Sequence, residues 1–214
     1  MERIEIHTIP GFRFGQAEDR AAGTGCTVIL CPEGAVTGVD VRGGSPATRD
    51  TDALDPVCHR EAVHAVVLTG GSSFGLDAAG GVMSALEKEG VGRDVGVTVV
   101  PNVCAAVLFD LKCGRSDVRP DAAMGRAACV EALRGLPFVE GVHGAGTGCT
   151  VGKLLGPDHA MKAGIGASAW RQGDLMVGAV VACNAMGDVV RGGEIVAGAR
   201  RPDGGGFVGS EDWL

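Results

Sequence analysis

The stretch VHGAGTGCTVGKLLGPDHAMKAGIG, residues 142–166, contains seven glycines and two lysines. Glycine has no Cβ, so it adopts positive φ easily and lets another part of the backbone, or a ligand, come close. Such a segment suits the floor of a binding site better than a packed helix. We therefore expect a functional site to be built around this stretch, with Gly146 and Thr147 among its substrate-binding residues.

Part of this stretch is a repeat. The heptapeptide AGTGCTV occurs at residues 22–28 and again at residues 145–151. Two copies do not make a solenoid, which needs many copies at a short period. We expect each copy to end a tight turn and lead into a strand.

The composition limits the class of protein. The chain has 37 glycines in 214 residues, whereas an average protein of this length has about 15. This content predicts many turns and short elements in one large domain, residues 1–214. The net charge of −7 argues against nucleic acid or an anionic membrane as a partner. A small molecule or a peptide is the expected partner.

The eight cysteines include no CxxC pair, and the five histidines have no metal-binding spacing. A structural zinc site is therefore not expected, and we predict no metal or other cofactor. The N-terminus MERIEIHTIPGF lacks an apolar signal segment, which favours a reduced, cytoplasmic protein. The longest apolar run, residues 95–111, is interrupted by Pro101 and Asn102, so no membrane span is predicted.

Hydrophobic patterns predict strands alternating with a few helices. Residues 2–6 are expected as an edge strand, and residues 27–31 and 35–41 as a hairpin turned by Pro32, Glu33 and Gly34. Further strands are predicted at residues 64–69, 95–100, 175–183 and 193–196, and residues 104–111 as a strand or a short helix. Helices are predicted at residues 76–89 and 122–133. The pattern indicates an α+β fold, a mixed sheet covered by helices.

The strand predicted at residues 64–69 leads into Gly70, Gly71, Ser72 and Ser73 and then into a helix. Free amides at a helix N-terminus bind anions and carbonyl oxygens well. These four residues are therefore candidates for substrate binding. The alternative is that Ser72 or Ser73 only caps the helix.

Common catalytic and nucleotide-binding motifs are missing. The P-loop pattern fails before and after Lys153, where Thr147 and Leu154 stand in place of the required residues. The G-x-G-x-x-G fingerprint fails at Cys149 and at Val151. No serine lies in a G-x-S-x-G elbow.

Several segments in order resemble one family over nearly the whole chain. They are GTGCTVILCPEGAVTGVDVRGGSPATRDTD, AVVLTGGSSFGLDAAGGVM, RPDAAMG, GAGTGCTVGKLLG, AMKAGIG and GEIVAGARRPDGGGF. This succession is similar to the DmpA-type self-processing aminopeptidases and amidases, the P1 family or peptidase family S58. The resemblance implies an αββα sandwich similar to that of N-terminal-nucleophile hydrolases. It also implies a precursor that cleaves itself into α and β chains, homo-oligomers of αβ units, and small peptide or amide substrates.

The implied nucleophile is an N-terminal Ser or Thr on the β chain. Its free α-amine, with a pKa of about 8, can serve as its own general base. The resemblance assigns Asn184 as the amide that faces the oxyanion or scissile region, and Lys162 as a lysine near the nucleophile. The alternatives are that Asn184 caps a turn at a strand end and that Lys162 is a solvated surface lysine.

Departures from the family pattern limit what the resemblance implies. The chain has no tyrosine, so it lacks the oxyanion tyrosine of the aminopeptidase branch, and Ala163 stands where a second glycine is usual. The sequence stops at Leu214, before the expected cleavage junction. It is then either a separated α chain or part of a longer one. Two other functions stay open: acyl transfer of the ornithine acetyltransferase type, and binding of a small anion without catalysis.

Overall fold

The computed structural model describes residues 1–213, so Leu214 lies outside the described residues. Its α-helices are α1 Asp77–Lys88 and α2 Ala122–Leu133. Its strands are β1 Glu2–Ile4, β2 Arg13–Asp19, β3 Thr24–Ala35, β4 Thr48–Arg49, β5 Val63–Thr69, β6 Arg93–Asp94, β7 Val99–Val100, β8 Val103–Val107, β9 Thr150–Val151, β10 Met161–Lys162, β11 Ile165–Gln172, β12 Leu175–Ala182, β13 Val189–Arg191 and β14 Glu194–Ala197.

A five-stranded mixed sheet forms the centre of the fold, in the order β2-β3-β5-β8-β4. Its neighbouring strands are antiparallel except β5 and β8, which are parallel. The predicted strand at residues 64–69 is β5, and it is buried at Ala65 and Val67 on one face and at His64 on the other. Of residues 104–111, predicted as a strand or a short helix, residues 104–107 belong to a strand, β8, and residues 108–111 to neither.

The two α-helices pack on one face of this sheet and against each other. Asp121 begins α2, where its carboxylate accepts the N–H of Met124 at 2.9 Å, a normal N-cap. A Cβ at Gly81 or Gly125 would collide with a carbonyl oxygen of the facing helix. Both predicted helices are confirmed, and the close crossing of the two helix backbones explains Gly81 and Gly125.

A smaller antiparallel sheet in the order β1-β11-β12 covers the other face of the central sheet. Ile6, Phe14 and Ala169 form the buried contact between the two sheets. The predicted edge strand is β1, and the apolar run at residues 175–183 is β12. The α+β class is confirmed, with a helical layer and two sheets stacked in the order expected for an αββα sandwich.

The hairpin predicted for residues 27–41 is wrong. Residues 24–35 form one strand, β3, whose hairpin partner is the preceding strand β2. Pro32 lies beyond the pairing with β2, so its missing N–H removes no bond of that ladder. The ladder with β5 shifts register between Leu30 and Ala35, and Gly34 has φ of +81° there. The Pro-Glu-Gly segment is therefore a bulge rather than a turn.

The strand predicted at residues 95–100 is also wrong. Strands β6 and β7 form a small antiparallel pair, and residues 95–98 connect them. Asp94 accepts the N–H of Gly96 at 2.8 Å, and Gly96 has φ of +85°. An aspartate followed by glycine at positive φ closes a tight turn, and this turn chemistry outweighs the β-branched valines around it.

Strand β12 buries only one of its two faces. Leu175, Val177 and Val181 alternate along it and are 64%, 59% and 58% exposed, and Trp170, opposite Val177 on β11, is 45% exposed. We call these four side chains the outer face. It lies on the side of the small sheet that points away from the central sheet. Separately, no helix within residues 1–213 is long and apolar enough to cross a membrane.

Candidate functional site

The two copies of AGTGCTV contact each other directly. In the first copy Gly23, with φ of +72°, leads into β3. The second copy begins in a short 3-10 helix, Gly144–Gly146, and leads into β9. The N–H of Ala145 donates to Oγ1 of Thr27 at 3.1 Å. The expectation that each copy ends a turn and leads into a strand is confirmed.

A buried carboxylate lies beside both copies. Asp110 is 5% exposed and accepts hydrogen bonds from Oγ1 of Thr24 and from the N–H of Gly71, each at 2.7 Å. A Cβ at Gly70 or at Gly148 would collide with the Asp110 side chain. The glycines of the 70–71 turn and of the second copy therefore make room for a charge that must be hydrogen-bonded to be buried. Asp110 fixes the turn after β5 relative to the first copy.

Asp110 was missed in the sequence analysis although a signal was present. It is the only acidic residue in the apolar run at residues 95–111. An acid at the end of such a run is seldom fully buried unless it has partners.

Asn184, two residues after β12, is held in one orientation. Its Oδ1 accepts the N–H of Thr150 at 3.1 Å and the ammonium of Lys153 at 2.7 Å. Both partners can only donate, so the amide nitrogen must face the other way. There Nδ2 donates to the carbonyl of Phe109 at 3.0 Å. Because Nδ2 carries two hydrogens and contacts one acceptor among residues 1–213, one N–H remains for a ligand.

Lys153 is a second residue that the sequence analysis missed. Its ammonium also donates to the main-chain carbonyl of Asn184 at 2.7 Å. Partial burial lowers the pKa of Lys153. The sequence carried a weak signal, a lysine directly after glycine in the glycine-rich stretch, but it was tested only against the P-loop pattern.

Lys162 lies on β10, which pairs with β9 of the second copy. Its ammonium donates to the carbonyls of Thr147 at 2.5 Å and Cys149 at 3.1 Å. Although the residue as a whole is exposed, its charged end is tied to the second copy. The structure thus brings together Asn184 and Lys162, the two predicted catalytic residues, on either side of β9.

The six predicted substrate-binding residues are placed less uniformly. Gly70, Gly71, Gly146 and Thr147 are buried, Ser72 is half-buried and Ser73 is exposed. The capping positions before Ser72 and before α1 make no side-chain hydrogen bond, so neither serine is the predicted helix cap. Ser72 has φ of +55°, and its N–H donates to the carbonyl of Leu108 at 2.9 Å.

A cleft of about 630 Å³ opens next to the side-chain partners of Asn184, although Asn184 itself is not one of its lining residues. The three partners of the Asn184 side chain, Phe109, Thr150 and Lys153, all line it. Its other charged lining side chains are Asp110, Lys112, Lys162 and Arg200. Ser72 and Ser73 are not among its lining residues, and the 70–71 turn is linked to it only through Asp110.

Comparison with known proteins relates this chain to one peptidase family and to hydrolases. The model of peptidase family S58 matches residues 5–203. An uncharacterised aminopeptidase of Mycobacterium tuberculosis is 46% identical over 169 residues, which cover 78% of this chain and 46% of the relative. A 6-aminohexanoate-oligomer endohydrolase of Paenarthrobacter ureafaciens is 37% identical over 190 residues, 88% of this chain and 50% of the relative. The chain spans about half the length of these curated relatives.

The fold is also similar to a solved one. The L-aminopeptidase D-Ala-esterase/amidase of Ochrobactrum anthropi, described as a variant of the Ntn hydrolase fold, superposes with a TM-score of 0.57. It is 19% identical, and the match covers 84% of this chain and 53% of that one. At this identity the likeness supports the fold alone.

Proposed function

The chain belongs to peptidase family S58, and on this premise we propose that it forms the α part of a self-processed N-terminal-nucleophile aminopeptidase or amidase. The complete protein would cut its own backbone and expose a Ser or Thr at the start of a β part. That residue would attack small peptides or amides and release their N-terminal residues. The α part supplies the groups that stabilise charge around the nucleophile.

The orientation of Asn184 carries this proposal. Two donors, the N–H of Thr150 and the ammonium of Lys153, hold its oxygen, so its amide nitrogen is turned toward Phe109, a residue of the cleft lining, in advance of any ligand. A donor fixed beforehand stabilises a developing oxyanion without reorganising during the reaction. Asn184 is therefore assigned as an oxyanion donor.

Lys162 contributes a positive charge near the same point. Its ammonium is bound only to carbonyl oxygens of the second copy. A cation close to the free α-amine of the nucleophile lowers the pKa of that amine, because a second positive charge is disfavoured. The amine is then neutral near pH 7 and able to accept the proton of its own hydroxyl.

The cleft itself holds no activated nucleophile among the described residues. Thr150 supplies a hydroxyl and Cys113 a thiol to the lining, and neither side chain is hydrogen-bonded to a histidine or a carboxylate there. A hydroxyl or thiol without such a base is a weak nucleophile. This supports a nucleophile contributed by the β part.

The outer face supports a partner that covers it. Trp170, Leu175, Val177 and Val181 leave apolar side chains in water, and β12 is an edge strand with unpaired backbone groups. Contiguous apolar surface and a bare edge are normally covered in a stable protein. In the proposal the β part adds the missing outer layer of the αββα sandwich, and αβ units assemble further into a homo-oligomer.

Intact mass and N-terminal sequencing of the protein purified from its native source test the proposal. Two associated polypeptides are expected, one of them beginning with Ser or Thr. This 214-residue chain, produced alone, should not hydrolyse an aminoacyl amide. Hydrolysis by a single monomeric species of 21.6 kDa would overturn the two-part mechanism.

A further inference from the structure

The cleft beside Asn184 has the opposite charge to the chain as a whole. The chain carries a net charge of −7. The cleft lining, however, contains four cationic side chains, Lys112, Lys153, Lys162 and Arg200, and one carboxylate, Asp110. Both carboxylate oxygens of Asp110 accept hydrogen bonds, from Thr24 and from Gly71, and neither forms an ion pair with these cations among the described residues.

None of the four cations is paired with a carboxylate within residues 1–213. The six ion pairs found there lie elsewhere. Lys153 and Lys162 are bound to carbonyl oxygens, and the Arg200 guanidinium donates to the carbonyls of residues 158, 159 and 160. Carbonyl oxygens orient a cation but leave its charge uncompensated.

Two of these cations keep free donors. Lys112 is exposed and makes no side-chain hydrogen bond among the described residues, so its three N–H groups are available. Arg200 uses Nε and Nη2 for the carbonyls of its neighbours, which leaves both hydrogens of Nη1. The carbonyl contacts also hold the guanidinium in place, so a ligand loses less freedom on binding it.

We infer that this cleft binds the C-terminal carboxylate of a short peptide substrate, with Lys112 and Arg200 as its partners. The inference rests on the proposed function and narrows its substrate class. The scissile carbonyl lies at the Asn184 end, and the carboxylate neutralises the opposite, cationic part of the lining. Arginine and lysine bind carboxylates through short, charge-assisted hydrogen bonds. Short peptides with a free C-terminus are thus preferred over their amides.

The test compares two substrates of equal length, alanyl-alanine and alanyl-alanine amide, with the complete enzyme. The free acid should have a kcat/KM at least about 10-fold higher, as loss of one charge-assisted partner predicts. Lys112→Gln and Arg200→Gln should each raise KM for the acid by about 10-fold and leave the amide unchanged. Lys88→Gln, an exposed lysine at the end of α1, is the matched control and should change neither.

The result that overturns the inference is an equal kcat/KM for acid and amide, or an equal rise in KM for both in the Lys112→Gln variant. If neither peptide is hydrolysed, the proposed function fails by itself. Calorimetric binding of the same two dipeptides to the complete protein then decides the carboxylate site. Tighter binding of the acid that is lost in Lys112→Gln supports it, and equal binding refutes it.

Discussion

The two copies of AGTGCTV have the same letters and different structures. The first copy begins a 12-residue strand held between β2 and β5 in the central sheet. The second copy forms a 3-10 turn and a two-residue strand at the edge of the cleft. Thr24 bonds Asp110, whereas Thr147, the matching residue, is 2% exposed and its Oγ1 has no partner among the described residues. Long-range neighbours, rather than local propensity, decide what the same heptapeptide becomes.

The first copy has a structural role, and the second copy belongs to the candidate site. The first copy holds Asp110 and, through Thr27, the second copy. The second copy holds the groups that we propose face a ligand: its Thr150 orients Asn184, and its carbonyls bind Lys162. Changes at the first copy should therefore affect stability, and changes at partners of the second copy should affect turnover.

The largest effect is expected at Asn184. In the complete enzyme, Asn184→Ala should lower kcat by about 10²-fold to 10³-fold, because one oxyanion donor is lost, with little change in Tm. Asn102, whose buried Nδ2 donates to the carbonyl of Ala62 at 2.7 Å, gives the matched control. Asn102→Ala should lower Tm and leave kcat unchanged. An unaltered kcat in Asn184→Ala would contradict the assignment of Asn184 as an oxyanion donor, and with it the role of the second copy in the site.

The contact between the copies is tested next at Gly25. A Cβ there would collide with the carbonyl oxygens of Gly144 and Ala17. Gly25→Ala should lower the free energy of unfolding by about 3 kcal/mol, the upper end of overpacking costs, measured by urea denaturation. Gly38→Ala, where no atom lies within 4 Å of the new Cβ, should be nearly neutral. Equal effects at both glycines would show that the copies do not need their close contact.

A smaller effect should separate the two matching threonines. Thr24→Val removes a hydrogen bond to the buried Asp110 carboxylate and should lower the free energy of unfolding by about 2 kcal/mol. Thr147→Val removes a buried hydroxyl that has no partner, so stability should be unchanged or rise by up to about 1 kcal/mol. Denaturation of the two variants side by side checks this. Equal losses would mean that the copies are energetically alike.

The smallest effect on stability is expected at the matching cysteines, Cys26 and Cys149, which are buried in both copies. Burial raises the pKa of the Cys26 and Cys149 thiols, each to about 12. Both thiols stay protonated near neutral pH. The free energy of unfolding that depends on these neutral thiols is therefore fully present below the unfolded pKa of about 8.5, and it is lost as pH rises from about 9 to 12. In the folded chain iodoacetamide at pH 8 should label the exposed Cys58 and spare these two. Rapid labelling of Cys149 alone would show that the second copy opens.

Elements with strong local signals were predictable from the sequence. Strand β5 is a continuous apolar run, and α2 has an Asp121 cap and Gly135 at positive φ after its end. The hairpin at residues 27–41 failed because Pro-Glu-Gly is compatible with a turn and with a bulge. The outcome depended on pairing with the preceding strand β2 and with β5, which lies far from this segment in sequence.

The candidate site was predictable in part. Asn184 and Lys162 came from the resemblance, and no local pattern marks either of them. Asp110 and Lys153 act through partners far away in sequence, Thr24 and Gly71 for one and Asn184 for the other. Such contacts follow from the order of strands in the sheets, which short-range patterns do not encode. The local clues were an isolated acid in an apolar run, for Asp110, and a lysine directly after glycine, for Lys153.

The bare edge of β12 has a consequence for biosynthesis. Two copies of this chain can pair through their exposed strand edges at a rate that depends on the protein concentration. A β part attached to the same polypeptide competes with this pairing at a fixed effective concentration, in the millimolar range for a short flexible linker. Making both parts as one precursor would therefore let the correct cover reach the apolar side chains of Val177 and Val181 before another molecule does. If the proposed self-cleavage takes place, the peptide bond would be dispensable only after the layers have assembled, and a delayed cut would protect the chain from aggregation during its own synthesis.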